Sequence, residues 1–312
     1  MKIVFMGTPD FAVPALAGLI AEGYQIAAVY TRPDAPAGRG RTLSSSPIKR
    51  LAESHQLEIR QPHSLRSEEA RHELQLLNPD VIVVAAYGLI LPQAVLDIPR
   101  LSCVNIHASL LPRHRGAAPI AAAIAAGDNF SGISIMRMDK GIDTGGIYSR
   151  AMIPIFDHDT TGYLTERLAT VGIAALLDVL PQLESGTITE VPQPAEGTTY
   201  APMLTKDDGR IDWRQSAVVI WRQARALQPW PGAFGTWGGK QLKLLETVPI
   251  SMPTAVAPGT VVELPPAAAA PWGIATADGI LGVCRLQMEG KRAVSASEFL
   301  RGQRGLIGTI LE

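Results

Sequence analysis

The fold class is decided by residues 80–86, Asp80-Val81-Ile82-Val83-Val84-Ala85-Ala86, in which an uninterrupted apolar run follows Asp80. Successive side chains of a strand point to opposite faces of the sheet. A short run of valine and isoleucine without polar residues is therefore typical of a strand buried on both faces of a parallel sheet. Similar runs lie at residues 2–6, 25–31 and 103–107, and helical patterns lie at about residues 13–22, 47–54 and 67–77. This alternation of strand and helix predicts an α/β fold with an open, doubly wound, Rossmann-like sheet.

The pattern continues to about residue 185 and then changes. Alternating residues predict a further strand at 132–138, and apolar residues at helical spacing predict a long helix at 161–183. Residues 186–207 are rich in glycine and proline, which predicts a linker. Short strand-like segments follow at 242–246, 259–263, 273–277 and 279–286, with a Pro/Ala segment at 265–271 that we expect to be a mobile loop. We therefore expect a domain at 1–185, a linker at 186–207 and a smaller β-rich, OB-like barrel domain at 208–312.

The bulk composition limits the classes of function. A length of 312 residues is enough for two domains, and a net charge of −1 does not indicate an overall affinity for nucleic acid. The two cysteines are far apart in sequence, and the six histidines show no spacing typical of a metal site. We also find no signal peptide and expect no segment long enough to span a membrane. These observations predict a cytoplasmic protein without a metal.

Chemically capable side chains follow the predicted strands, where open α/β sheets bind their ligands. Asn105 and His107 are two residues apart in an extended segment, so their side chains point to the same side. Asp143 lies in a glycine-rich turn, residues 141–146, just after the strand at 132–138. The turn after the first strand, residues 6–11, has one glycine where a dinucleotide fingerprint needs three, which argues against a nicotinamide cofactor.

An amide, an imidazole and a carboxylate that converge at a sheet edge suit acyl transfer. Asn105 and a protonated His107 can donate hydrogen bonds to a developing oxyanion. Asp143 can raise the pKa of His107 and help to remove a proton from an attacking amine. No serine or cysteine lies in a nucleophile elbow, so direct transfer is the simpler mechanism. Each residue also has a structural interpretation: His107 as a core residue at a strand end, and Asp143 as a turn former.

The run at 105–116 carries a resemblance, Asn105-Ile106-His107-Ala108-Ser109-Leu110-Leu111-Pro112-Arg113-His114-Arg115-Gly116. Together with Asp143 in the segment 138–145, it resembles the signature of the folate-dependent formyltransferase family. The resemblance implies that Asn105, His107 and Asp143 are catalytic and that 10-formyltetrahydrofolate is the formyl donor. It implies a tetrahydrofolate site lined by Ser109, Leu110, Leu111 and Pro112, and a loop whose backbone receives the pterin ring, Tyr87, Gly88, Leu89, Ile90 and Leu91.

Further motifs resemble the branch of this family that formylates the α-amino group of initiator methionyl-tRNA for translation initiation. They lie at residues 6–14, 31–34, 36–41, 46–49, 209–213 and 228–231, so the resemblance runs nearly from end to end. In that branch the second domain resembles an OB-type barrel and helps to grip tRNA. The segment 265–271 departs from the pattern as a low-complexity insertion.

Local basic residues independently favour an RNA substrate. Residues 32–50 carry a net charge of +4, and residues 208–312 carry +3. We expect Arg39, Arg41 and Lys49 to contact tRNA phosphates, although a solvated surface loop would have the same composition. The five tryptophans, all in the second part of the chain, could stack on bases or pack the barrel. We expect a monomer that binds neither membrane nor DNA.

Three other functions stay open at this stage. A formyl-folate enzyme that acts on a small amine, such as glycinamide ribonucleotide or an amino sugar, would need neither the arginine loop nor a basic second domain. A formyl-folate hydrolase is a further alternative. A noncatalytic RNA-binding protein could keep the fold as a scaffold, but an intact Asn105, His107 and Asp143 argue against it.

Overall fold

The computed structural model describes residues 1–37, 42–303 and 305–312. The described chain forms two compact units. The first, the sheet unit, consists of Met1–Pro119, Phe130–Pro154 and Thr165–Ala201. The second, the barrel unit, consists of Ile120–Asn129, Ile155–Leu164 and Pro202–Glu312. The predicted domain boundaries at 185 and 208 stay predictions.

The part of the chain up to residue 201 alternates strands and helices, as the apolar runs predict. Its strands are β1 (Lys2–Gly7), β2 (Gln25–Tyr30), β3 (Ala35–Ala37), β4 (Thr42–Ser44), β5 (Ile59–Arg60), β6 (Val81–Ala85), β7 (Ser102–His107), β8 (Arg115–Gly116), β9 (Phe130–Arg137), β10 (Ile147–Pro154) and β11 (Tyr200–Ala201). Its helices are α1 (Val13–Ala21), α2 (Pro47–Ser54), α3 (Glu68–Leu76), α4 (Gln93–Leu96), α5 (Pro119–Ala126) and α6 (Thr161–Ser185).

The main sheet has seven strands in the order β10-β9-β7-β6-β1-β2-β5. The five strands from β7 to β5 are parallel, and β9 and β10 are antiparallel to their neighbours. The chain winds outward from β1 in both directions, which creates a switch point at the carboxyl ends of β1 and β6. The predicted doubly wound, Rossmann-like sheet is confirmed. Strand β10 was not predicted, because it is an edge strand whose alternate residues are exposed and carry little apolar signal.

Both faces of the sheet are covered. On one face, alternate residues of β1 and β6 pack with residues of α3 and α4 in a single apolar cluster. On the other face, α6 lies close to the sheet: a Cβ on Gly172 would sit 3.0 Å from Ile106 and 3.6 Å from Ile133. The close approach of α6 is therefore possible because residue 172 has no side chain. This packing places α6 directly against β7, which carries Ile106.

Helix α6 corrects one expectation from the sequence. With 25 residues and a mean hydropathy of 1.3 over its most apolar 18-residue window, it is long and apolar enough to cross a membrane by length and composition. The same length and composition are found in the core helices of globular domains. Leu168, Leu176, Val179 and Leu180 are buried within the protein, as expected of such a core helix.

The barrel unit contains β12 (Ala233–Trp237), β13 (Lys240–Ile250), β14 (Val261–Glu263), β15 (Trp272–Ala275), β16 (Ile280–Met288), β17 (Ala293–Ser295), α7 (Ala217–Ala226) and α8 (Ala296–Gly302). The strand order is β12-β13-β16-β15-β14, all antiparallel, with β17 on β16. Residues 309–312 bond to both outer strands: the Thr236 N–H donates to the Glu312 carbonyl (2.7 Å), and the Val261 N–H to the Thr309 carbonyl (2.8 Å). These bonds close the curled sheet and leave neither edge unpaired there, which confirms the barrel-like prediction.

Most of the tryptophans pack the barrel. Trp213 and Trp272 are buried in its core, and Trp221 and Trp237 pack against that core, whereas Trp230 is exposed. The Pro/Ala segment 265–271, expected to be a mobile loop, forms a turn in which the Ala268 N–H donates to the Pro265 carbonyl. Ala270 is buried beside Ile280. The segment therefore contributes to a small apolar cluster of its own.

Candidate active site

Asn105 and His107 lie at the carboxyl end of β7, where the strand period places them. Cys103, Asn105 and His107 alternate with Val104 and Ile106, so the two polar side chains share one face of the sheet. Both are almost completely buried, with 9% and 5% of their surface exposed. Pairing on both sides, with β6 at Asn105 and with β9 at both residues, fixes their backbone. A buried polar side chain needs hydrogen-bond partners, so their surroundings decide what they can do.

Asp143 completes the group from a loop between β9 and β10. Its Oδ2 lies 3.5 Å from His107 Nδ1, and its Oδ1 accepts from Asn105 Nδ2 at 3.4 Å. The Gly116 N–H also donates to Oδ2, at 2.8 Å. The backbone of Asp143 has a φ of +51°, a left-handed conformation that is uncommon for residues other than glycine. The structure thus brings the three sequence-predicted residues together around one carboxylate.

The second ring nitrogen of His107 faces the backbone. His107 Nε2 lies 3.0 Å from the His114 carbonyl oxygen, which can only accept, so this nitrogen carries a proton. Burial lowers the pKa of His107, and the Asp143 carboxylate raises it by a smaller amount. The sequence-based expectation of a raised pKa and a charged imidazole is therefore wrong in direction, because desolvation outweighs the neighbouring charge. In its neutral form, His107 therefore presents the Nδ1 lone pair to Asp143.

The turn after β7 holds the residues expected to line the folate site, Ser109, Leu110, Leu111 and Pro112. Ser134 organises this turn from β9: its hydroxyl donates to the Ser109 carbonyl (2.7 Å) and accepts from the Leu111 N–H (3.1 Å). Ser109 and Leu111 are buried, whereas Leu110 and Pro112 are half-buried. Leu110 and Pro112 are therefore the side chains of this turn that a ligand can reach.

The loop after β6 presents backbone more than side chains. The side chains of Tyr87 and Leu91 are buried in the core cluster under the sheet, and the Tyr87 carbonyl accepts from the Thr8 hydroxyl at 2.9 Å. Gly88 has a φ of +82° and no neighbour closer than the Arg32 side chain, 3.9 Å from where a Cβ would be. Leu89 is half-buried and Ile90 is 75% exposed. An open main chain flanked by apolar side chains fits a flat heterocycle.

Sequence reasoning missed a group of residues that support the site. The segment 187–201, which lies within the predicted linker 186–207, hydrogen-bonds to other parts of the sheet unit. The Thr199 hydroxyl accepts from the His114 N–H at 2.8 Å, and β11 pairs with β8. Gln193 contacts Arg115 and the carbonyls of Asp143 and Gly145. No pattern marks Gln193, which stands between two prolines in an aperiodic segment.

The residues expected to contact tRNA have different positions. Arg39 and Arg41 lie outside the described residues. The Lys49 ammonium is paired with the Asp34 carboxylate at 2.6 Å, and Gln61 donates to the same carboxylate. Lys49 and Gln61 together lower the pKa of Asp34, so this carboxylate is ionised at neutral pH. Lys49 must therefore share its charge between Asp34 and any phosphate. Within the described ranges, no three histidine, cysteine, aspartate or glutamate side chains are grouped to hold a metal.

Comparison with known proteins places this geometry in a family. A family model described as formyl transferase matches residues 1–180, and one described as formyl transferase, C-terminal domain, matches residues 203–304. Methionyl-tRNA formyltransferase from Dehalococcoides mccartyi is 48% identical over 313 residues, which cover 100% of this chain and 98% of that protein. The protein of the same name from Gluconobacter oxydans is 48% identical over 313 residues, with 100% of both chains covered.

A solved structure shares the fold. HypX from Aquifex aeolicus, in complex with tetrahydrofolic acid, superposes with a TM-score of 0.65 and 17% identity over 99% of this chain and 48% of that one. At that identity the similarity shows the fold alone. The end-to-end identity and the two matched domain models carry more, and they show that the chain belongs to the formyl transferase family, among the methionyl-tRNA formyltransferases.

Proposed function

We propose that this protein transfers the formyl group of 10-formyltetrahydrofolate to the α-amino group of initiator methionyl-tRNA, with Asn105, His107 and Asp143 around the reacting atoms. One observation carries the proposal. The chain is 48% identical from end to end to a methionyl-tRNA formyltransferase. In this chain an amide, an imidazole and a carboxylate converge at the carboxyl edge of the sheet. These are the groups that amine attack on a formyl carbonyl requires.

Asn105 and Asp143 have complementary tasks in this reaction. The Asn105 amide has two N–H groups, and one of them reaches Asp143 at 3.4 Å. The other can donate to the formyl oxygen as negative charge develops on it. The Asp143 carboxylate accepts a proton from the attacking amine, which must lose one to become a neutral formamide nitrogen. Electrophile activation and proton removal thus come from neighbouring side chains.

His107 links these two tasks. Its Nε2–H is held by the His114 carbonyl, so Nδ1 is the atom that can take up a proton. Because burial favours the neutral imidazole, Nδ1 can accept the proton that Asp143 receives and return it to the leaving folate nitrogen. Asp143 then stabilises the transient imidazolium at 3.5 Å. Proton transfer that is divided in this way between His107 and Asp143 needs no covalent intermediate between the formyl group and the protein.

The residues present fit the formyl-folate donor. The open backbone at Gly88 and the exposed Ile90 offer a surface for the pterin ring beside the switch point. Leu110 and Pro112 extend this surface along the turn after β7. When bound, the donor supplies the formyl carbon, and these residues orient that carbon toward Asn105. Open α/β sheets bind ligands in this crevice.

For the tRNA, we assign Arg39, Arg41 and Lys49 to phosphate contacts, with further contacts from the barrel unit. A groove of about 810 Å³ on the barrel unit is lined by Trp237, Lys240, Lys291 and Arg292, among others. Basic side chains beside an aromatic ring suit a nucleic-acid backbone and its bases. We further propose a cytoplasmic monomer that binds neither DNA nor membrane. The free cysteines Cys103 and Cys284 are compatible with a reducing compartment.

One experiment tests the function. The protein is mixed with 10-formyltetrahydrofolate and charged initiator tRNA, and separately with free methionine, glycinamide ribonucleotide and an amino-sugar nucleotide. We expect formyl transfer to the charged tRNA alone. Transfer only to a small amine, or release of formate without any acceptor, would replace the proposal by one of the alternative formyl-folate activities.

A further inference from the structure

Gln193 is a polar side chain of the segment 187–201 that hydrogen-bonds to the loop carrying Asp143. Its neighbours Pro192 and Pro194 are exposed, whereas Gln193 is half-buried. The Nε2 atom donates to the carbonyls of Asp143 and Gly145, both at 2.8 Å. The Oε1 atom accepts from Arg115 Nε at 3.1 Å and from Nη2 at 2.7 Å. All four hydrogen-bonding positions of the amide are thus used, which fixes its orientation.

Gln193 connects two segments of the chain, Arg115 on one side and the loop of Asp143 and Gly145 on the other. Both segments help to hold the Asp143 carboxylate in place. Arg115 precedes Gly116, whose N–H donates to Asp143 Oδ2. The carbonyls of Asp143 and Gly145 belong to the loop whose backbone is in a left-handed conformation at Asp143. Such a conformation is unfavourable for a non-glycine residue and persists only where the surroundings impose it. Gln193 therefore joins the backbone that presents the carboxylate to the strand that binds it.

The contact with Arg115 has an energetic reason, because Arg115 is buried, with only 9% of the residue exposed. A buried cation is costly unless its donors are satisfied, so Arg115 needs the Gln193 oxygen as much as Gln193 needs Arg115. A glutamate at 193 could still accept from Arg115, but it could not donate to the two carbonyls. The amide is thus the chemical group that satisfies both partners at once.

We infer that Gln193 is a positioning residue for formyl transfer, which holds Asp143 at the distance from His107 and Asn105 that proton transfer requires, without touching either substrate. The inference rests on the proposed function for its kinetic part, and on geometry alone for its structural part. Small displacements of a catalytic group can lower turnover about a hundredfold, so a residue with this task affects kcat more than substrate binding.

The test compares Gln193→Met, which has nearly the same shape but no hydrogen bonds, with Gln193→Glu. The matched control is Gln182→Met on α6, where an exposed glutamine donates to the Asp178 carbonyl one helical turn earlier. We expect kcat with methionyl-tRNA to fall about ten- to a hundredfold in Gln193→Met and further in Gln193→Glu. The KM values for both substrates should change less than about threefold, and Gln182→Met should match the parent.

A second readout needs no substrate. NMR titration of His107 in the parent and in Gln193→Met measures how closely the carboxylate approaches the ring. The groups that face His107 are Asp143 and His114, and Asp143 is the one that raises its pKa. Loosening Asp143 should therefore lower the pKa of His107 in Gln193→Met, whereas Gln182→Met should leave the pKa unchanged. If the parent does not formylate methionyl-tRNA but this shift is found, the proposed function fails and the positioning inference stands.

Three results would overturn the inference. One is a folded Gln193→Met protein with the parent's kcat and the parent's His107 titration. Another is a loss confined to KM, which would place Gln193 in substrate binding. If Gln193→Met does not fold, the kinetic comparison passes to Gln193→Glu, which keeps the contact with Arg115. The third result is the failure of both variants to fold, which would show that Gln193 has a purely structural role.

Discussion

The end of β7 and the loop that carries Asp143 form the two halves of the site, and they are held in different ways. Asn105 and His107 lie on a central strand, paired on both sides and packed against α6 through Gly172. Asp143 lies in a loop with an unfavourable backbone conformation, fixed by hydrogen bonds from Gly116 and Gln193. One half is placed by regular secondary structure, and the other by contacts between residues distant in sequence.

This difference teaches where sensitivity to mutation should lie. A strand residue keeps its backbone position when its side chain changes, so substitutions there report on chemistry. A loop residue depends on every group that holds the loop, so substitutions at several remote positions can move it. The comparison can be broken or sharpened by five measurements, from the largest expected effect to the smallest.

The largest effect is expected for Asp143→Asn. The variant keeps the shape of the side chain and its contact with the Gly116 N–H, but it loses the base and the charge beside His107. Removal of a general base typically costs two to four orders of magnitude, so we expect kcat to fall about a thousandfold. Binding of 10-formyltetrahydrofolate, measured by fluorescence titration, should stay within several-fold. Near-normal turnover would contradict the assignment of the base to the loop half.

Asn105→Asp tests the strand half. The substitution replaces an N–H donor by a second carboxylate. In the parent, the Asn105 amide nitrogen lies 3.4 Å from an oxygen of Asp143, so the two carboxylates would be close together. One lost oxyanion donor costs on the order of a hundredfold, and like charges add to the loss. Steady-state kinetics and circular dichroism together check this expectation. We expect an inactive but folded protein, because β7 is held by its backbone pairing; an unfolded variant would show that the strand is less independent of its side chains than proposed.

The third measurement concerns a region that belongs to neither half. Arg39→Ala/Arg41→Ala removes two proposed phosphate contacts from residues 38–41, which lie outside the described residues. Each charge-assisted contact is worth about 1–2 kcal/mol, so the decrease in kcat/KM for tRNA should correspond to roughly 2–4 kcal/mol of lost transition-state stabilisation. The salt dependence of tRNA binding should also become shallower. Folate affinity serves as the control and should not change. Parent-level kinetics with tRNA at several salt concentrations would show that Arg39 and Arg41 do not contribute to tRNA binding.

The pH dependence follows from the lowered pKa of His107. The folded protein binds fewer protons at His107 than the unfolded chain, whose imidazole titrates near its ordinary value of 6.5. The contribution of His107 to the free energy of unfolding is therefore complete above that value and is lost as pH falls toward the lowered pKa. Urea unfolding at about pH 7.5 and 5.5 should show a smaller decrease in His107→Asn than in the parent. An equal decrease in both proteins would remove His107 from the acid sensitivity.

The smallest effect is expected at Ser134 in β9. Ser134→Ala leaves the buried Ser109 carbonyl and the buried Leu111 N–H without the hydroxyl that joins them. The expected loss is about 1–3 kcal/mol in the free energy of unfolding. Ser131 is a matched control on the same strand, because its buried hydroxyl has no hydrogen-bond partner among the described residues. Ser131→Ala should be neutral, and equal effects for the two variants would show that the turn does not depend on Ser134.

The two halves of the site also differ in how far they could be predicted from sequence. The alternation of Cys103, Asn105 and His107 with Val104 and Ile106 is visible in one strand, and it correctly predicts the shared direction of the polar side chains. The glycine-rich turn around Asp143 predicts its place after a strand, although not its φ of +51°. The sign of the His107 pKa shift was wrong, because burial at 5% exposure is a tertiary property.

The least predictable part is the segment 187–201. Secondary-structure patterns depend on periodic burial, and Gln193 is half-buried among exposed neighbours. Its partners Arg115 and Asp143 are 78 and 50 residues away. Thr199 similarly reaches His114 across 85 residues. Contacts of this range are set by the completed fold, so glycine and proline content alone described the segment as a linker.

The path of residues 187–201 has a consequence for how such proteins can be cut and recombined. A fragment that ends at residue 185 would retain the predicted helices and strands of the sheet, yet it would lack the groups that support the Asp143 loop and the His114 backbone. Any exchange of second domains between related enzymes must therefore keep this segment with its own first domain. The part of the chain that supports the candidate site therefore extends to Ala201, beyond the end of α6.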